Sequence, residues 1–279
     1  VAYGDILYTR DDLQRLLDRA RESNGHAALV QPLGNLPPHE WLCANLREDQ
    51  VTRILGHPRE STHRLCGLYV LSRDITPYLV NHPGLMTSVE VGNMPPLESE
   101  LAESLSRSLQ NGDQLHAVEA RHFYADLDKP WHYLDANTAY LAYLGSQLTG
   151  NDIAETARID PGAEIEGYVT AGEGVVIGKG VKIRGNLWMG KNSRVVDGAM
   201  LGGNCAIGAD SVLREYCLVG ECSSVGNRCV IGHAAEFSGI LMDGAYSYHY
   251  GEYWGIIGRS SDLGAATVCG NLRFDDLSR

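Results

Sequence analysis

From Ile153 onward, apolar residues recur at every sixth position: Ile153, Ile159, Ile165, Ala171, Ile177, Ile183, and on without a break to Ile231 and Phe237. Glycine follows that position at Gly172, Gly178, Gly190, Gly202, Gly208, Gly220, Gly226 and Gly232. A residue without Cβ suits a tight corner or a close backbone approach. Four places after each apolar residue come small or modest side chains, among them Ser193, Ala199, Cys205, Ser211, Cys217, Ser223 and Cys229. This register predicts a parallel β-helix of hexapeptide repeats, in which each hexad is one short strand plus a corner and three hexads make a coil. Residues 153 to 242 then form five coils, a prism about 24 Å long at the strand spacing of about 4.8 Å. Beyond Phe237 the count fails and resumes in a shifted phase at Ile257, Leu263 and Cys269. The stretch between, "DGAYSYHYGEYWG", is expected as an inserted loop projecting from the prism, with four tyrosines, Trp254 and His249 on it.

The first 150 residues carry a different pattern. "TRDDLQRLLDRARES" has helical spacing, with Thr9 placed as its cap and Asp12 three residues on. "VAYGDILYT", "HAALVQPL", "QVTRILG", "HRLCGLYVLS" and "LHAVEARHFYADL" are expected as strands. "LESELAESLSRSLQNG" and "KPWHYLDANTAYLAYLGSQL" are expected as helices. Alternation of this kind implies an α/β domain with a mainly parallel sheet. The boundary is expected between Gly145 and Asp152, giving a domain over 1–150 and the repeat region over 151–279.

Charge narrows the partners. With 23 Lys and Arg against 35 Asp and Glu, the net charge is -12, which disfavours nucleic-acid and anionic-membrane surfaces. A phosphate substrate therefore needs Mg²⁺ or a few placed basic residues. No apolar run has the length of a membrane span, and the N-terminal residues lack the features of a signal peptide, so a cytoplasmic protein is expected. Seven cysteines fit reduced thiols. The run from Cys217 to Glu236, with three cysteines and His233, has the composition of a zinc site. The hexad register instead puts Cys217 and Cys229 inward on different faces and Cys222 and His233 outward, so these residues do not converge.

Three segments carry a resemblance to a known family: "YGDILYTRDDLQRLL", "GLYVL…ITPYL" and "HFYADLDKPWHYLDANTAYL". Together with the order of elements, they resemble the sugar-1-phosphate nucleotidylyltransferases that end in a left-handed β-helix, including the bifunctional enzymes that make UDP-N-acetylglucosamine. The resemblance implies a partial Rossmann-like nucleotidyltransferase α/β domain followed by a hexapeptide-repeat left-handed parallel β-helix. It implies two carboxylates holding Mg²⁺, by position Asp5 and Asp126, with a sugar phosphate and a nucleoside triphosphate as substrates and a homotrimer as the assembly. Two carboxylates and Mg²⁺ suit this chemistry, because the metal neutralises the triphosphate while the sugar phosphate attacks the α-phosphorus.

The chain departs from the family pattern in places. The family's glycine-rich nucleotide loop precedes the Gly4-Asp5 motif, and so is expected in a segment ahead of Val1. Gly56-His57-Pro58 stands where the family has Glu-Lys-Pro, and Leu65 where it has Asn. In the β-helix, the resemblance is to the family's acetyltransferase half. There it implies His249 as the general base toward acetyl-CoA, with Tyr250 or Tyr253 and Asn271 contacting substrate. Three functions follow as alternatives: a nucleotidylyltransferase, an acetyl-CoA-dependent sugar N-acetyltransferase, and a non-catalytic trimeric assembly or regulatory subunit.

Overall fold

The computed structural model describes residues 1–82 and 101–269. It divides into two compact units, Val1–Asp128 and Lys129–Arg279.

In the first unit, β1 (Ile6–Leu7) is followed by helix α1 (Arg10–Ser23) and β2 (His26–Pro32). The Thr9 hydroxyl accepts from the Asp12 amide at 3.2 Å and donates to the Asp12 carboxylate at 2.7 Å, so the predicted cap is present and buried. Strands β3 (Leu42–Arg47), β4 (Gln50–Gly56) and β5 (His63–Val70) follow, then the short α2 (Thr76–Val80), α3 (Leu101–Gln110), β6 (Leu115–Glu119) and β7 (Ala125–Asp126). The predicted start of α3 lies outside the described residues. Strands β2, β5, β3, β4 and β6 form one sheet in that order, and a single pair, Gln50 with His116, closes the order into a ring.

The α/β class holds, but the expected parallel sheet does not. Only β2–β6 is parallel, while β2–β5, β3–β4, β3–β5 and β4–β6 are antiparallel. The cause is connection length. Glu48 and Asp49 alone join β3 to β4, whereas a parallel pair needs a crossover of a dozen or more residues. Strand β3 was not expected, and the first predicted strand shrinks to β1.

Strand β2 is buried on both faces. Ala27 and Leu29 pack toward Leu16 and Ala20 of α1, and Ala28 and Val30 toward Ala102 and Leu105 of α3. Its nearly continuous apolar run follows from that double burial.

The second unit opens with helix α4 (Pro130–Gln147). Asn137 of α4 donates to Cys222 O at 2.7 Å and accepts from Ser224 Oγ at 2.6 Å, anchoring the helix to the strands that follow. Those strands form the left-handed hexapeptide β-helix. Equivalent residues stack eighteen apart, as Ile177 on Val195 and Leu213 on Ile231. The inward positions are those of the hexad register, including Ser193, Cys205, Ser211, Cys217, Ser223 and Cys229, all fully buried. The left-handed backbone conformation falls two places after the hexad glycine, on Asn192, Asn204, Asp210, Cys222 and Arg228. The glycine itself serves close approach: a Cβ on Gly190 meets Ala209 N at 2.6 Å.

The expected projecting loop is absent, and with it the five-coil limit. After Val219 pairs with Phe237, the repeat shortens from eighteen to sixteen: Val225 stacks on Leu241, Ile231 on Ser247, Phe237 on Tyr253 and Ser247 on Leu263. Nothing is inserted; two residues are lost at one corner per turn. There the chain runs straight through as the longer strands Glu236–Leu241 and Glu252–Ile257, which stack residue for residue. Gly239 at φ 126° and Gly255 at φ 105° sit at the lost corner, in backbone that other residues rarely adopt.

Candidate functional site

A cleft of about 250 Å³ lies in the first unit, and its lining includes Asp5, Trp41, His57, Tyr124 and Asp126. Local pairing explains how Asp5 and Asp126, far apart in sequence, arrive together. Strand β1 pairs antiparallel with β7 through Ile6 and Asp126, and the Leu127 amide donates to Asp5 O at 2.8 Å. Asp5 is exposed and Asp126 half-buried. Tyr124 donates its hydroxyl to Asp126 Oδ2 at 3.5 Å, and burial pushes that phenol's pKa up, keeping it a donor.

The opposite rim comes from the segment before β3 and the end of β4. His57 adopts left-handed backbone at φ 50°. Its amide donates to Trp41 O at 3.1 Å, and its Nδ1 lies 3.0 Å from His39 O. A carbonyl only accepts, so Nδ1 carries the proton. On the floor, Gly67 has φ 64° and lets Tyr3 lie on β5: a Cβ there meets Tyr3 Cδ2 at 2.9 Å. The Tyr3 and Tyr69 rings meet tilted at 58°, with centroids 6.0 Å apart. Leu65 also faces the cleft. The departures at His57 and Leu65 thus both fall in the cleft that holds the two aspartates.

Glu40 and Asp128 bring the lining carboxylates to four, against one basic lining residue, His57. A surface so charged attracts a cation and accepts phosphate only with one. Among the described residues no group of three or more His, Cys, Asp or Glu is arranged to hold a metal. Two carboxylates suffice for Mg²⁺, which keeps several waters and completes its shell with substrate phosphates. Asp5 and Asp126 fit that donor set. A larger hollow of about 400 Å³, lined by Tyr78, Glu103, Arg107 and neighbours, lies elsewhere in this unit and lacks paired aspartates.

The residues expected to act in the β-helix lie in the shortened turns. His249 and Tyr250 are exposed at a corner. Tyr253 points inward, stacked on Phe237, with its hydroxyl 2.8 Å from Ser247 Oγ and 3.5 Å from Gly264 O. Asn271 lies outside the described residues. Burial raises the pKa of the Cys205 and Cys217 thiols to about 12, which fits packing rather than metal ligation.

Sequence reasoning missed Tyr3, Trp41 and Tyr124 as cleft walls. Each lies in an irregular segment, and no periodicity marks it. The Pro37-Pro38 pair ahead of Trp41 is a signal in the sequence that could have marked a fixed loop there.

No family model matches the chain. It is 32% identical over 235 residues to the bifunctional protein GlmU of Methanococcus maripaludis strain S2, covering 82% of this chain and 49% of that protein. It is 28% identical over 134 residues to GlmU of strain C7, covering 47% and 28%. The chain therefore spans about half, or less, of the length of the curated relatives it matches. Among solved structures, a UTP-bound UGPase from Acinetobacter baumannii aligns with a TM-score of 0.41 at 20% identity, over 53% of this chain and 50% of that one. A putative glucose-1-phosphate thymidylyltransferase from Bacillus anthracis aligns with a TM-score of 0.35 at 19% identity, over 45% and 47%.

Proposed function

Since this chain is a sequence relative of the sugar-1-phosphate nucleotidylyltransferases, we propose that its first unit binds sugar phosphate and divalent metal during nucleotidyl transfer. In that reaction a phosphate oxygen of the sugar 1-phosphate attacks the α-phosphorus of a nucleoside triphosphate, and pyrophosphate leaves. The observation that carries the reading is the meeting of Asp5 and Asp126 in one aromatic-walled acidic cleft.

Asp5 and Asp126 are the residues that would hold Mg²⁺. Bound there, the metal would neutralise phosphate charge as it builds on the reacting groups. The chain's own groups do the rest. The Tyr124 hydroxyl orients the Asp126 carboxylate, and the β1–β7 pairing fixes the Asp5 backbone beside it. His57, with Nδ1–H donated to His39 O, has Nε2 left to accept from a substrate hydroxyl.

The test is Asp5→Asn, which preserves size and removes the charge. Mg²⁺-dependent release of pyrophosphate from a nucleoside triphosphate and a sugar 1-phosphate should be abolished. Full retained activity would remove Asp5 from the metal site and sink the assignment.

A further inference from the structure

This inference rests on the reading of the cleft as a sugar-phosphate site, and concerns a residue behind its wall. Arg64 on β5 is only 6% exposed. Its Nε and Nη2 donate to Gln31 Oε1 at 3.1 and 2.6 Å. Among the described residues, no carboxylate stands within ion-pair distance of it. A buried charge without a counter-ion is strongly disfavoured unless other groups stabilise it.

Two aromatic rings do so here. The guanidinium carbon lies 4.2 Å from the centroid of Trp41 and 4.7 Å from that of Tyr124, inside the range of cation–π attraction. A planar guanidinium can stack on two rings while donating to a third group, which a lysine ammonium cannot do. Leu65 and Tyr69 of β5 line the cleft, and Arg64 does not. The arginine therefore reaches no substrate itself. It ties together two rings from unconnected segments: Trp41, just before β3, and Tyr124, just before β7. Both rings line the cleft, and Tyr124 also holds Asp126.

We propose that Arg64 is a positioning residue that fixes Trp41 and Tyr124 as one aromatic wall, against which the pyranose ring of the sugar phosphate stacks. A pyranose has an apolar C–H face and a polar edge. Aromatic ring faces match the first, while the carboxylates and His57 match the second. The cleft's 250 Å³ suits a single sugar ring better than a drug-sized ligand.

The experiment uses the full chain labelled with 5-fluorotryptophan, its Trp41 fluorine signal assigned by Trp41→Phe. It is titrated with α-D-glucose 1-phosphate in Mg²⁺, and with inorganic phosphate as control. The Trp41 signal should move with the sugar phosphate and not with phosphate. Arg64→Met should require about tenfold more sugar phosphate, and Arg64→Lys, which keeps one cation–π contact, an intermediate amount. Should Arg64→Met fail to fold, Gln31→Leu leaves the arginine but removes its acceptor, and should weaken binding in the same direction.

Sugar-phosphate binding within twofold of the parent in these variants overturns the positioning role. An equal response of Trp41 to inorganic phosphate overturns the stacking. A parent that binds the sugar phosphate with the Trp41 signal unmoved overturns this inference alone, and one that binds no sugar phosphate overturns the functional reading with it. A parent with no Asp5-dependent Mg²⁺ binding overturns the functional reading together with it.

Discussion

The two glycines at the lost corner of the β-helix allow a paired test of how the solenoid shortens. Gly239 and Gly255 stack on each other and share strained backbone, at φ 126° and 105°. They differ in the space around them. A Cβ on Gly255 meets nothing within 4 Å, whereas one on Gly239 runs into the Gly255 backbone, with its carbonyl carbon at 3.0 Å and its amide nitrogen at 3.1 Å. Alanine at either site holds a backbone conformation costing about 1–3 kcal/mol. That is partly offset by about 0.4–1 kcal/mol from a less flexible unfolded chain. Gly255→Ala should therefore cost about 1 kcal/mol. Gly239→Ala adds a collision with immobile main chain, of the kind that costs about 1–3 kcal/mol in a packed core, for a total of about 2–4 kcal/mol. The assay is urea unfolding followed by tryptophan fluorescence, since Trp188 and Trp254 lie on the solenoid. Equal midpoints for the two variants, or a worse Gly255→Ala, would refute the stacked-corner account.

Other outcomes follow from single groups. Thr9→Ala removes the cap of α1 and a donor to the buried Asp12, and should lower stability by about 1–2 kcal/mol in the same assay. Burial, aided by Arg19 at 2.9 Å and opposed by Asp49 at 3.8 Å, lowers the pKa of His116 from 6.5, so the folded state holds the neutral ring. Its contribution is present above pH 6.5 and is lost as pH falls toward the folded pKa, because there the unfolded chain takes up the proton first. His116→Gln should flatten that acid limb in melts taken across pH; an unchanged slope would count against it. With thiol pKa values of about 12, Cys205 and Cys217 are ionised to only about one part in ten thousand at pH 8. Iodoacetamide should label them in urea and spare them in the folded protein, as peptide mapping would show, while the partly exposed Cys269 reacts first.

The sequence alone determined those parts of the protein whose structure is local and repeated. The hexad pattern from Ile153 to Phe237 stated the coil, its inward positions and the packing of Cys205, Cys217 and Cys229, though not the burial of Cys222, because each strand pairs with its own image one turn later. The Thr9 cap and the strongly periodic helices were legible for the same reason: their signals lie within a few residues. Asp5 and Asp126 were found by resemblance, and neither carries a periodicity of its own.

What only the tertiary structure decided depends on residues far apart in the chain. A deletion of two residues at a corner and an inserted loop both break the sixfold count. Stacking Phe237 on Tyr253 and Gly239 on Gly255 is what tells them apart. Sheet direction in the first unit was set by a two-residue hairpin, not by the alternation of strands and helices. Trp41 and Tyr124 both line the cleft because two segments with no common pattern converge on the buried charge of Arg64 behind it. That charge is stable only where the folded chain surrounds it with rings and an amide, a condition no stretch of sequence states.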